Sequence, residues 1–319
     1  MRVKLQKMEP SLPVERRESP GFSDDQIIQM FLSSKSGSSH TYKSYMRAIT
    51  RFREFIAYRM FNAVTWREIE AYKYMLMNTK SPLTGKPLAP ASIASRIAPL
   101  KSLYKWGNDP NIGLFQNNPT TNIKMPIIPL NSKKHFLTKS EVGKLLQYLR
   151  QNSPRDYLIC LTLLLLGLRV SELCGIRWSD FYTDPLESSI WLTVERGKGG
   201  KSRDIKVPAT LWQMYHTLGL YKPNLQQPSD RVFPLSPRQL ERIIQSSCVN
   251  SGLNKQVTPH WLRHTNATLA LLNGASLQQV QETLGHAHIN TTQRYLHTVE
   301  QLTKSASDYV SDMINEYLP

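Results

Sequence analysis

A proline-rich segment divides this chain of 319 residues into two parts. Between Asn117 and Lys134 there are prolines at positions 119, 126 and 129 and no acidic residue. Because proline lacks a backbone donor and fixes φ, such a segment is typical of an extended linker. On both sides of it, apolar residues recur at steps of three and four, which predicts helices with one buried face. We therefore expect a flexible tail at 1–22, a helical domain at 23–116, a linker at 117–136 and a second domain at 137–319.

Capping patterns predict where several helices begin. Ser23 and Thr65 in the first domain, and Thr138 at the start of the second, each precede a Gln or Glu by three residues. In this arrangement the side chains and backbone cap each other. The second domain also holds a strand-rich interval at 189–207, where two apolar runs flank a glycine-rich turn. The predicted fold class is mainly α with a small β-sheet, an all-α N-terminal domain and a mixed α+β C-terminal domain.

The chain is strongly basic, and most of the excess charge lies before the second domain. Lys and Arg total 40 against 24 Asp and Glu, giving a net charge of +16, and 21 basic against 9 acidic residues fall within 1–134. A protein this basic repels itself unless it binds a polyanion, so double-stranded DNA is the expected partner and solubility alone is the weaker explanation. The residues expected to contact DNA are Lys43, Arg47, Arg51, Arg96, Lys101 and Lys201.

Membrane insertion and secretion are both disfavoured. The longest apolar stretch, Tyr157–Leu166, is far shorter than the roughly 20 residues that span a bilayer. The N-terminus lacks the apolar segment of a signal peptide, and the three cysteines form no C-x-x-C pair. We expect a cytoplasmic, nucleoid-associated protein that does not bind membranes.

Two segments of the second domain place arginine and lysine on turns. Arg169 follows a helix that Gly167 is expected to end, and Glu172 lies three residues further on, within reach of the guanidinium. Lys198 and Lys201 lie in the turn Gly-Lys-Gly-Gly-Lys, whose glycines allow close approach to a phosphate backbone. Taken separately, an Arg–Glu pair is as often structural as functional, and a charged hairpin tip is the ordinary solvated turn.

Two further segments carry histidines. His260 and Arg263 would lie one helical turn apart, where an imidazole and a guanidinium can surround one oxyanion. His286 precedes Tyr295 by nine residues. A metal site is disfavoured, because His260 and His264 flank a cationic arginine and Glu282 is the only carboxylate between 257 and 299. We therefore expect neither a metal nor another cofactor, which argues against a metal-dependent nuclease.

Taken together and in this order, R-V-S-E-L, G-K-G-G-K, H-W-L-R-H-T, L-G-H and a tyrosine nine residues later resemble the tyrosine site-specific recombinase (phage integrase) family. The chain is similar to its compact, Xer-like, two-domain members, whose N-terminal domain is a SAM-like core-binding domain. The resemblance implies Tyr295 as the nucleophile and Glu172 as a supporting residue. It implies that the remaining catalytic residues are Arg169, Lys198, His260, Arg263 and His286, with Lys201 as the alternative lysine.

The resemblance also implies the activity. Such an enzyme cleaves and rejoins DNA through a 3′-phosphotyrosine, without metal or ATP, in integration, excision or resolution. It would act as a homotetramer on paired sites, with room for accessory DNA-bending proteins, and residues 301–319 would dock on a neighbouring subunit rather than on their own domain. The alternatives are a type IB-like topoisomerase and a non-catalytic DNA-binding regulator.

Overall fold

The computed structural model describes residues 21–35, 39–82, 84–128, 135–195, 202–221, 227–303 and 306–317. The chain falls into two compact units, divided between Pro129 and Leu130. The predicted boundaries of the tail, the two domains and the linker stay predictions.

The described part of the first unit is helical. Its helices are α1 (Asp24–Ser34), α2 (Ser39–Phe55), α3 (Trp66–Asn78) and α4 (Pro90–Gly107), with a single 3-10 turn at Phe61–Ala63. The capping boxes predicted at Ser23 and Thr65 are both formed. Phe31, Phe52 and Tyr104 are completely buried in the core that these helices share.

The first part of the predicted linker packs on these helices. Ile123 joins the core of the unit with only 5% of its surface exposed. Lys101 Nζ donates to the carbonyl of Ile123 at 3.1 Å, and Lys73 Nζ donates to that of Lys124 at 3.3 Å. Residues up to 124 are therefore tied to α3 and α4, because their apolar side chains and carbonyls find partners there.

The second unit surrounds one helix whose last nine residues are apolar except for Thr162. This helix, α6, has eight buried residues and packs against α5 and α10. No helix in the described residues is both long and apolar enough to span a bilayer. The helices of this unit are α5 (Lys139–Asn152), α6 (Pro154–Leu166), α7 (Val170–Leu173), α8 (Ala209–Thr217), α9 (Pro237–Asn250), α10 (Pro259–Leu272), α11 (Leu277–Leu284), α12 (Ile289–Thr303) and α13 (Ala306–Ile314).

An antiparallel sheet of three strands lies in the same unit, in the order β1 (Phe181–Thr183), β2 (Ile190–Val194) and β3 (Arg203–Val207). Leu192 of β2 pairs with Phe181 and with Ile205. Alternate residues of β2 and β3 are buried, which is the pattern of a sheet with one face on the core. β2 and β3 are the predicted strands, whereas β1 was not anticipated because three residues are too few to show a period.

The C-terminal segment predicted at 301–319 begins inside α12, and its own helix is α13. The exposed side chains of α13 and the turn after it include several large apolar ones, namely Tyr309, Val310, Met313, Ile314 and Tyr317.

Candidate active site

Arg169 lies directly after the end of α6. Gly167 ends that helix with φ of 58°, and Arg169 is the N-cap of α7. Its Nη1 donates to Glu172 Oε1 and its backbone N–H donates to Glu172 Oε2, both at 2.7 Å. The pairing of Arg169 with Glu172 therefore has the geometry that their spacing predicted. Arg169 keeps part of its side chain exposed, at 31%.

Glu172 is buried and also accepts from a second arginine. Arg203 Nη1 donates to Oε1 at 3.0 Å and Arg203 Nη2 donates to Oε2 at 2.9 Å. Burial alone would raise the pKa of Glu172, but the hydrogen bonds and charge of Arg203, and then those of Arg169, lower it to about 2. The carboxylate is therefore ionised at neutral pH and surrounded by cations.

Arg263 is the most deeply buried charge of the site, with 2% of its surface exposed. Its Nη1 donates to the carbonyl of Gly167 and its Nη2 donates to that of Leu284. Nη1 also lies 4.0 Å from Glu172 Oε2. Burial and the nearby Arg169 lower its pKa to about 10, which still leaves the guanidinium charged at neutral pH. Arg263 and His260 lie three residues apart on α10, as expected, and the charge of Arg263 acts on the His260 imidazole.

Gly167 permits this close packing for two reasons. Its positive φ disfavours other residues, and a Cβ there would lie 2.7 Å from Leu284 Cδ2 and 2.8 Å from Asn266 Oδ1. The amide of Asn266 donates to the carbonyls of Leu164 and Leu165 at 2.7 and 3.1 Å, so it caps the end of α6. The sequence did not reveal these hydrogen bonds of Asn266, because about a hundred residues separate it from its acceptors.

The predicted nucleophile, Tyr295, lies on α12 and is buried, with 9% of its surface exposed. Its ring stacks parallel to that of His286 at 6.3 Å and lies 5.1 Å from that of His264. Burial raises the pKa of Tyr295, and the charges of Arg263 and Arg294 oppose this rise. The phenol is therefore protonated at neutral pH and needs a base before it can act as a nucleophile.

A cavity of about 230 Å³ opens beside Tyr295. The rings of His260 and His264 lie 4.2 Å apart along its wall, and that of His135 packs on Trp261 at 4.9 Å. The cavity is lined mainly by imidazole, hydroxyl and guanidinium groups, from His135, Phe136, His260, His264, Thr268, His286, Thr291, Arg294 and Tyr295.

Three histidines that line this cavity, His260, His264 and His286, have depressed pKa values. Burial, followed by the charges of Arg263 and Arg169, lowers the pKa of His260 and lowers that of His286 to about 4. Burial and the neighbouring His260 lower the pKa of His264 to about 3. Neutral imidazoles can accept a proton or donate one hydrogen bond, and these are neutral at pH 7. His286 Nδ1 lies 2.9 Å from the hydroxyl of Thr292, which is completely buried.

The remaining predicted site residues are two lysines of the second unit and the cations of the first. Lys198 and Lys201 fall outside the described residues, so the choice between them stays open. Lys43, Arg47 and Arg51 are exposed at four-residue steps on α2, and the charges of Arg51 and Arg96 both act on the phenol of Tyr72. Lys101 is half-buried, and its ammonium is engaged by the carbonyl of Ile123. Among the described residues, no three His, Cys, Asp or Glu side chains are arranged so that they could hold a metal ion.

Two residues that the sequence did not single out belong to the site. Arg203 binds Glu172, and His264 contacts both Tyr295 and His260. The signal for His264 was its position one helical turn after His260. Nothing in the sequence paired Arg203 with Glu172, because 31 residues separate them.

Comparison with known proteins finds one family for both parts of the chain. Residues 135–301 match the phage integrase family, and residues 26–113 match the phage integrase N-terminal SAM-like domain. The tyrosine recombinase of Pseudothermotoga lettingae is 31% identical over 274 residues, covering 83% of this chain and 89% of that protein. The tyrosine recombinase XerD of Listeria innocua is 31% identical over 293 residues, covering 86% of this chain and 94% of that protein.

A solved structure shows the same fold. The crystal structure of a lambda integrase tetramer bound to a Holliday junction superposes with a TM-score of 0.65 at 21% identity, covering 86% of this chain and 78% of that one. The chain belongs to the phage integrase family of tyrosine recombinases, enzymes that cleave and rejoin DNA.

Proposed function

We propose that this chain is a site-specific recombinase in which Tyr295 cleaves DNA through a covalent 3′-phosphotyrosine. The observation that carries the proposal is that Tyr295 lies in the same site as the guanidiniums of Arg169 and Arg263. The charge of Arg263 acts on the Tyr295 phenol, and the Glu172 carboxylate that holds Arg169 also lies beside Arg263. A nucleophile and two phosphate-binding forks are what metal-free phosphoryl transfer requires.

The proposed reaction begins with the attack of Tyr295 Oη on the phosphorus. His260 takes the phenolic proton, because it is neutral at pH 7 and lines the same cavity. The bond from phosphorus to the 5′ oxygen breaks, and that oxygen receives a proton from Lys198 or Lys201. Attack by the 5′ hydroxyl of another strand reverses these steps, so rejoining needs neither ATP nor a metal.

Arg169, Arg263 and His286 would stabilise the phosphate. The two guanidiniums neutralise charge on the non-bridging oxygens. We assign the Thr292 hydroxyl as donor to His286 Nδ1, which leaves the proton on Nε2, free to donate to a phosphate oxygen.

Double-stranded DNA and further copies of this chain are the proposed partners. The exposed cations of α2 supply sequence-independent phosphate contacts. α13 presents Val310, Met313 and Ile314 to solvent, a surface suited to another subunit of a homotetramer on paired sites. Accessory DNA-bending proteins are compatible with this arrangement.

The covalent intermediate gives the most direct test. Tyr295→Phe removes only the nucleophilic oxygen, so we expect normal DNA binding and complete loss of the protein–DNA adduct on a nicked substrate that traps cleavage. The matched control is Tyr309→Phe, which changes an exposed tyrosine of α13 and should still form the adduct. An adduct from the Tyr295→Phe protein, or a phosphopeptide mapping to Tyr309 or Tyr317, would refute the assignment of Tyr295.

A second measurement separates recombination from topoisomerase activity. We expect recombination of a plasmid carrying paired sites and no relaxation of a supercoiled plasmid without them. Relaxation of a plasmid that lacks sites would instead favour the type IB-like alternative, and specific binding without any adduct would favour a regulator.

Removal of residues 303–319 tests the proposed role of the C-terminal helix. We expect single-site binding to persist and tetramer formation on paired sites to fall, because the apolar side chains of α13 would no longer reach a neighbour. Gel shift and chemical cross-linking measure the two properties. Undiminished tetramers and recombination after truncation would show that the segment serves only its own subunit.

A further inference from the structure

Arg203, the first residue of β3, connects three separate parts of the second unit. Its two terminal nitrogens bind the two oxygens of Glu172 on α7. Its Nε donates to the carbonyl of Thr283 near the end of α11 at 2.8 Å. The side chain is nearly buried, with 10% exposed. Arg203 thus uses its planar fork on Glu172 and its third donor on the segment that leads to His286.

The two carboxylate oxygens of Glu172 accept hydrogen bonds from both Arg169 and Arg203. Each oxygen accepts one bond from Arg203 and one from Arg169, but Arg169 uses its backbone N–H for one of these. Its guanidinium therefore engages Glu172 through Nη1 alone, while Nη2 lies 3.5 Å from the carbonyl of Gly285. If Arg203 were absent, the carboxylate could pair with the Arg169 guanidinium as a two-bond fork, the geometry that Arg–carboxylate pairs favour. Arg169 would then have fewer donors left for another anion.

Gly285 adds a steric link to the same arginine. It ends α11 with φ of 63°, and a Cβ at this position would lie 2.8 Å from Arg203 Cδ. The backbone of the turn before His286 thus rests directly on the Arg203 side chain. A shift of Arg203 would displace this turn and the imidazole that follows it.

We infer that Arg203 is a positioning residue for strand cleavage: by occupying Glu172, it keeps the Arg169 guanidinium available to the scissile phosphate, and it supports the turn that carries His286. The inference rests on the proposed function, since it assigns Arg169 and His286 to the phosphate. Arg203 itself does not touch the phosphate in this scheme. An ordinary structural ion pair would stabilise the fold without favouring one substrate over another.

The test compares a charged with an uncharged scissile group. Cleavage rates at saturating DNA are measured for wild type, Arg203→Met and Arg155→Met, on a normal phosphodiester and on a methylphosphonate at the same position. Arg155→Met is the control, because it removes an exposed arginine of the same unit that pairs with Asp156. Methylphosphonate lacks one negative charge and so has less need of a guanidinium.

We expect Arg203→Met to cleave the phosphodiester about 10- to 100-fold more slowly, as for residues that orient metal ligands. Its loss on methylphosphonate should be several-fold smaller, and Arg155→Met should match wild type on both. An unchanged rate on the phosphodiester, or an equal loss on both substrates, would overturn the inference. If wild type itself forms no covalent adduct, the proposed function fails, and this failure is distinct from that of Arg203 alone.

One further variant covers the case in which Arg203→Met does not fold, and a double variant tests action through Glu172 where it does fold. Arg203→Lys keeps a positive charge but cannot bind both carboxylate oxygens at once, so we expect the same selective loss on the phosphodiester in a folded protein. Glu172→Gln combined with Arg203→Met removes the carboxylate that Arg203 occupies. In the Glu172→Gln background, Arg203→Met should reduce the cleavage rate several-fold less than it does in the wild-type background. Fully additive losses would contradict action through Glu172.

Discussion

The positive charge of α2 and that of the candidate active site differ in burial and in partners. Lys43, Arg47 and Arg51 project from α2 into solvent. Arg263 is 2% exposed, and two backbone carbonyls and a carboxylate surround it. Burying a charge costs several kcal/mol unless partners replace the lost water, so Arg263 requires those acceptors and the exposed residues do not.

This difference separates two ways of recognising phosphate. In the proposed function, the fixed guanidinium of Arg263 serves one phosphate with defined geometry, and its position depends on Gly167 and Leu284 at distant points of the sequence. Flexible exposed cations can follow many phosphates and release counterions as they bind. We therefore expect the first kind to control the rate of cleavage and the second to control affinity.

The largest expected effect follows from removing a buried guanidinium. Arg263→Ala should lower the cleavage rate at least about 10²- to 10³-fold, the typical cost of one preorganised donor. DNA affinity should change by no more than about twofold, because most contacts go to other phosphates. Arg169→Ala should behave in the same way. Cleavage of a trapping substrate measures the rate, gel shift measures the affinity, and thermal unfolding checks that both variants fold. Near-normal cleavage by either variant would contradict control of the cleavage rate by these guanidiniums.

A smaller and opposite effect is expected from α2. Replacing Lys43, Arg47 and Arg51 together by alanine should weaken binding and reduce the slope of log K against log salt by about 2.7, if each residue contacts one phosphate. The cleavage rate at saturating DNA should stay the same. Arg67→Ala is the control, because it removes an exposed cation of the same unit that lies over Trp66 on α3. An unchanged salt slope in the triple variant would exclude α2 from the DNA-binding surface.

The smallest expected effect concerns pH. The pKa of His260, the proposed base, is lowered. The imidazole therefore stays neutral as the pH falls through 6.5, the ordinary pKa of a histidine. Cleavage at saturating DNA should therefore fall less between pH 7 and pH 6 than the roughly threefold fall that an unshifted histidine would give. The rate should decline only at lower pH, as His260 takes up a proton. A threefold or larger loss by pH 6 would contradict the depressed pKa.

Local sequence patterns predicted much of the helical framework. The capping boxes at Ser23, Thr65 and Thr138 are formed in the structure, since each depends on residues three apart. The strand at Ile190–Val194 lies within the strand-rich interval predicted at 189–207, because its apolar residues and the following turn form a local signal. The family motifs also suggested Arg169, His260, Arg263, His286 and Tyr295, which the fold brings to one region, and their catalytic roles stay predictions.

Tertiary contacts determined what the sequence did not reveal. Arg203 reaches Glu172 across 31 residues, and Asn266 reaches the end of α6 across about a hundred. The inward direction of Arg263 follows from acceptors on two other segments, which helical spacing alone could not show. β1 was missed because its three residues become a strand only through pairing with β2.

The net charge of the ion cluster around Glu172 can be compared with the charge of the substrate at each stage of the proposed reaction. Arg169, Arg203 and Arg263 share a single carboxylate, so the described cluster carries two uncompensated positive charges. A bound phosphodiester brings one negative charge, whereas the five-coordinate phosphorus formed during attack carries two. In the proposed reaction, a bound phosphodiester would therefore relieve part of the repulsion within the cluster, and the transition state would relieve more of it. Such a cluster favours the transition state over the bound DNA, which is the condition for faster cleavage rather than merely tighter binding.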